Sequence, residues 1–103
     1  MNIDDFLQNL YGISSMSNDY EERVVANTQE DDWVVDTAIV TDRSWTYETA
    51  VRSPHFRDGL WIIVGKADTK EDAVKVHEQW VDMMRNNPKA LWDIYEEKIF
   101  MLD

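Results

Sequence analysis

Residues 46–84 read TYETAVRSPHFRDGLWIIVGKADTKEDAVKVHEQWVDMM, and this stretch decides the fold. Thr46 to Val51 alternate and carry β-branched and aromatic side chains, which suits a half-buried strand. Ser53, Pro54, Asp58 and Gly59 supply the turn chemistry that follows. Leu60 to Val64 form a short unbroken apolar run, the pattern of a central strand covered on both faces. Thr69 then caps a helix over 69–86, with Asp72 as the acidic half of a capping box. Ala73, Val76, His77, Trp80, Val81 and Met84 recur at three- and four-residue steps. The helix is therefore amphipathic and should pack that stripe across the sheet.

Upstream, residues 22–29 read as an edge strand, and Glu30, Asp31 and Asp32 as an acidic turn. Trp33 to Val40 alternate with apolar residues on both faces, so that strand is interior, with Asp36 near the rim or paired. Residues 41–44 turn into the organising stretch. Short turns between successive strands favour an antiparallel meander over crossover connections. Asn2 can cap a helix over 3–11, which Gly12 ends. Downstream, Asn86, Asn87 and Pro88 stop the long helix. Pro88 suits the first turn of a second helix, capped by Asn87 and carrying Leu91, Trp92, Ile94 and Tyr95. Residues 99–102 are apolar enough for a final docked strand or a partner-binding end. The expected fold is one α+β domain over 1–103. It has an N-terminal helix and loop over 1–20, an antiparallel sheet of three to four strands over 22–66, the main helix over 69–86, and a C-terminal helix and tail over 88–103.

The chain has 103 residues, enough for one core and not for two. Five Trp, four Tyr and three Phe give that core ample material. Without cysteine there is no disulfide framework and no thiolate chemistry. The first five residues carry no basic or apolar segment of the signal-peptide kind. No apolar run approaches the roughly 20 residues of a membrane span. Ten basic against twenty-one acidic side chains give a formal charge of −11. Residues 1–44 hold ten acids and two bases, hence −8 of it. Such a surface repels phosphate backbones, so direct nucleic-acid binding is not expected. A solvated, soluble face is the plain reading of the charge. An acidic face presented to a basic protein is the sharper one.

The candidate chemistry is thin. His77 lies within the apolar stripe, where a core histidine with satisfied ring nitrogens is expected rather than a ligand or base. His55 falls in the predicted hairpin loop, too far from His77 for a shared metal, and no Cys or H-E-x-x-H spacing supports one. Ser14, Ser15 and Ser17 sit in a polar loop without a nucleophile elbow. The glycines are too scattered to cradle phosphate. Glu48, mid-strand between Tyr47 and Thr49, is expected to face solvent. Trp33, Trp45 and Trp61 fall in or beside strands, where core and subunit interface explain them better than a base-stacking platform. No cofactor or metal site is expected, and no catalytic residue is assigned.

Residues 45–51 (WTYETAV), His55, 61–64 (WIIV), 69–73 (TKEDA) and 77–80 (HEQW) resemble a group of small proteins encoded by tailed bacteriophages. The shared pattern is a threonine-rich YET strand, a tryptophan-bearing apolar strand and a T-x-E-E-A-x-x-x-H helix start. It covers residues 36–84, with Asp72 where Glu is common, and leaves out the acidic first 35 residues. The resemblance implies a phage context, in the host cytoplasm or the virion, and no particular activity. The expected function is non-catalytic binding to another protein, such as a host or defence component. A head or tail accessory protein is the second reading, and an enzyme the third. Glu21, Glu22, Glu30, Asp31, Asp32 and Trp33, gathered around the ends of the first strand, are the expected partner-binding residues, and the partner should be basic. Five Trp and an apolar tail exceed what one covered sheet face buries, so self-association is expected as well.

Overall fold

The computed structural model describes residues 22–103. The helix expected over 3–11 lies outside them, as does Glu21. Four strands, β1 (Val24–Glu30), β2 (Trp33–Ile39), β3 (Tyr47–Arg52) and β4 (Ile62–Ala67), form an antiparallel meander in the order β1-β2-β3-β4. Val35 stands opposite Val51 and Thr37 opposite Thr49, while Val51 also faces Ile62 on β4. Side chains alternate across a strand, so these residues share one face. Helix α1 (Lys70–Arg85) lies on that face. Its entry follows from Thr69, whose extended backbone lets the hydroxyl accept from the Asp72 N–H at 3.1 Å.

From α1, Ala73, His77, Val81 and Met84 are buried. Val81 and Met84 meet Trp33, Val35, Val51, Ile62 and Val64 in the core, joined by Phe56 and Leu91. Each such apolar side chain contributes about 1.5–3 kcal/mol on full burial. Gly65 sets how closely the helix approaches β4. A Cβ there would meet Val76 Cγ1 at 2.5 Å and Trp80 Nε1 at 3.3 Å. On the opposite face Asp36 is paired, accepting from Asn27 Nδ2 at 2.9 Å across β1 and β2.

The expected C-terminal helix is instead a hairpin, β5 (Ala90–Asp93) and β6 (Lys98–Met101). Asn87 does not cap a helix, because its φ of 53° is left-handed whereas a cap residue is extended. Leu91, Trp92, Ile94 and Tyr95 match helical spacing, but burial runs with period two: Leu91 and Asp93 are buried and Trp92 is exposed. Asp93 imposes the turn. Its Oδ1 accepts from the Tyr95 and Glu96 N–H groups at 2.9 and 2.7 Å, the local pattern by which Asp favours turns over helix interiors. Its Oδ2 accepts from Ile63 N–H at 3.1 Å, and the Ile94 N–H donates to Ile63 O at 2.8 Å. The hairpin thus covers the free edge of β4 at Ile63, where unpaired backbone groups would otherwise invite foreign strands.

Candidate functional site

The acidic turn that the sequence singles out is largely occupied by its own fold. Glu30 is gripped by the Arg85 guanidinium in a two-pronged pair, Nε to Oε2 at 2.9 Å and Nη2 to Oε1. The Arg85 hydrogen bond holds the Glu30 carboxyl below its ordinary range, and Glu30 raises Arg85 in turn. Asp32 Oδ2 lies 2.6 Å from His55 Nε2, with both side chains half exposed. Asp31 is exposed at the tip with a left-handed φ of 47°, a conformation Asp tolerates better than most residues. Glu22 is exposed at the start of the described chain. Trp33, expected to meet a partner, is 5% exposed and belongs to the core. Its place on the helix-facing side of β2 is what buries it.

A cleft of about 300 Å³ opens beside this turn. Trp33, Phe56 and Met84 are its buried lining, and Pro88 and Leu102 continue the apolar wall. Asp32, His55 and Asp103 are exposed at its mouth. Two chain segments are tied together there: the Asp103 N–H donates to His55 O at 2.9 Å, and within the loop the His55 N–H donates to Ser53 Oγ at 3.2 Å. Backbone strain collects around it. Arg57 and Asp58, just past Phe56, have φ of 50° and 53°, and Asn87 has 53°. Non-glycine residues held this way cost of order 1–3 kcal/mol each and cluster at functional sites. Arg57 is anchored by Glu96 at 2.7 Å and Trp61 O at 3.2 Å, with its guanidinium 4.7 Å from the centre of the Phe100 ring. The sequence signalled His55 only as a loop histidine; nothing in its spacing from Asp32 announces their pairing.

His77 is the satisfied core histidine its position suggests. Its Nε2 is 2.9 Å from Thr28 Oγ1 and its Nδ1 2.8 Å from Thr37 Oγ1, which lies 2.7 Å from Thr49 Oγ1. Burial pushes its pKa below the ordinary value, against weaker opposing pulls from Asp36 and Glu78. The unfolded chain therefore binds this proton more readily, and stability is full above about pH 6.5 and falls as the pH drops through that value toward the folded pKa. In His77→Gln the fall in melting temperature between about pH 7 and pH 5 should flatten relative to wild type. An identical pH slope in the two proteins would assign the loss to other groups.

Glu48 faces away from α1, yet its side chain is only 12% exposed. The segment between β2 and β3 folds over it, bringing Arg43 Nε to 3.2 Å and Trp45 Nε1 to 3.2 Å from Oε2. The guanidinium of Arg43 also stacks 3.7 Å from the centre of the Tyr95 ring. Glu48 is thus a local organiser and not a free surface charge.

The outer face of the C-terminal hairpin exposes a row of large apolar side chains. Trp92 and Ile99 stand directly opposite each other across β5 and β6, 50% and 54% exposed. Met101, opposite Ala90, is 61% exposed. Among the described residues, no group of three or more His, Asp or Glu is placed to hold a metal ion, and no helix is long and apolar enough to cross a membrane. Known protein families, curated proteins and solved structures offer no match to this chain. The site must therefore be read from its own chemistry.

Proposed function

We propose that this chain is a small, non-catalytic protein of phage type that acts by binding another protein, with a host or defence component as its target. One observation carries the binding part: Trp92, Ile99 and Met101 form an outward apolar row on a hairpin whose inner face is already satisfied. Contiguous exposed apolar surface of this kind marks protein interaction sites, and aromatic residues dominate their energetics. The −11 charge makes a basic partner the natural complement, and it favours fast, salt-sensitive association. The phage context rests on the resemblance of residues 36–84.

Capture from phage-infected cells, using the full chain and a Trp92→Ala, Ile99→Ala variant, tests this reading. The double change should weaken partner retention by roughly 30-fold, as a lost aromatic hot spot does. Its own stability should move little, since surface changes usually stay within about 0.5 kcal/mol. Equal retention by both proteins would remove the hairpin as the binding face. Co-sedimentation with purified particles in place of a free partner would favour the virion accessory reading. A dimer of the pure chain, lost in the same variant, would make a second copy the occupant.

A further inference from the structure

We infer that the cleft between the acidic turn and the end of β6 is a socket for an arginine side chain of the partner protein, an inference that rests on the protein-binding reading and gives it a specific anchor. Its volume, about 300 Å³, sits at the lower end of small-ligand clefts, about 300–1,000 Å³, which suits one side chain better than a free cofactor. The lining is arranged by depth. Trp33, Phe56 and Met84 lie buried beneath, with Leu102 and Pro88 beside them, so an aliphatic stem entering the cleft meets a mainly apolar lining, in which the buried Ser53 hydroxyl already accepts from the His55 N–H. The mouth carries the carboxylates of Asp32 and Asp103. Asp32 Oδ2 is held by His55, which fixes the carboxylate in place while Oδ1 remains to accept from a second donor. Apolar depth under an anionic mouth is the complement of a long side chain with a cationic head.

Arginine fits better than lysine on physical grounds. Its guanidinium is weakly hydrated, so partial burial costs it less, and its planar fork matches a carboxylate with two parallel hydrogen bonds. An anionic ligand is opposed by Asp31, Asp32 and Asp103, and by the net charge of the whole chain.

The test titrates isotope-labelled full-length chain with acetylated, amidated Gly-Arg-Gly and with its citrulline counterpart, which keeps the shape and loses the charge. The arginine peptide should shift the amide signals of Asp32, His55 and Leu102 saturably, and the citrulline peptide should bind roughly tenfold more weakly or worse. Asp32→Asn, which removes a half-exposed charge and leaves the core alone, should cost the arginine peptide a similar factor. Equal response to both peptides, a lysine peptide that binds as tightly, indifference to Asp32→Asn, or no cleft response at millimolar peptide would each overturn the inference. Capture of a partner that depends on Trp92 and Ile99 while the cleft stays silent would sink the socket alone. A responsive cleft beside a chain that retains no partner would sink the functional reading instead.

Discussion

Asp93→Ala should release the C-terminal hairpin and lower stability by about 3–5 kcal/mol, a large share of what a domain of this size holds. The carboxylate is 1% exposed, and three backbone N–H groups, from Ile63, Tyr95 and Glu96, depend on it. Removing it leaves those part-buried donors without their acceptor, and the turn loses the group that shaped it. Arg57, 3.4 Å from Oδ2, loses one of its anchors as well. Asp93→Asn should fall between, because one oxygen can still serve the turn while the amide nitrogen confronts the Ile63 N–H. Urea denaturation gives the loss, and hydrogen exchange locates it. The amides of Ile94 and Leu102 should lose protection before those of β2. A wild-type midpoint with protected hairpin amides would show that the hairpin is held by packing alone.

The second large effect is expected at Gly65. Gly65→Val places a Cβ where only 2.5 Å separates it from Val76 Cγ1, with Trp80 Nε1 at 3.3 Å and Thr49 Cβ at 3.4 Å. Two of these neighbours do not yield readily: Val76 is β-branched on a helix, with one strongly preferred rotamer, and Thr49 is in the sheet. Helix and strand must move apart, at a cost of about 3 kcal/mol, the upper part of the usual overpacking range. Val76→Ala in the same chain should recover about 1–2 kcal/mol of that loss, a coupling expected only for residues in contact. Additive losses in the double variant would mean that α1 and β4 are not pressed together at Gly65.

The meander and its helix were legible because pattern and packing agree there. Residues 46–84 alternate, turn, run apolar without a break and then switch to helical period, and turn or cap residues mark the changes. The stripe from Ala73 to Met84 names the buried face of α1 in advance. The C-terminal hairpin was less legible for a definite reason. Its apolar residues fit both periods, and Asn87 and Pro88 imitate a helix start. The deciding influence is Asp93 bonding to Ile63, thirty residues away, and local sequence does not display that contact. The acidic turn was visible as charge, but the partners that engage it, Arg85 and His55, come from α1 and the β3–β4 connection. Trp33 was misjudged for a related reason. Its exposure depended on which side of β2 faces the helix, and both sides carry apolar residues.

The row of Thr28, His77, Thr37 and Thr49 has one more consequence. Each hydroxyl can rotate, and each ring nitrogen can either give or take a proton. With the proton on Nε2, the ring donates to Thr28 and accepts from Thr37, which in turn accepts from Thr49. With it on Nδ1, every arrow in the row reverses. When the ring is doubly protonated, it donates at both ends and the Thr37 hydroxyl donates its hydrogen bond to Thr49. All three arrangements keep the same bonds between the same heavy atoms. The centre of the sheet–helix contact is thus a set of rotors whose polarity can turn over while the packing around it stands still. Acid weakens this protein there by the electrostatic cost of a buried cation, and not by breaking a contact.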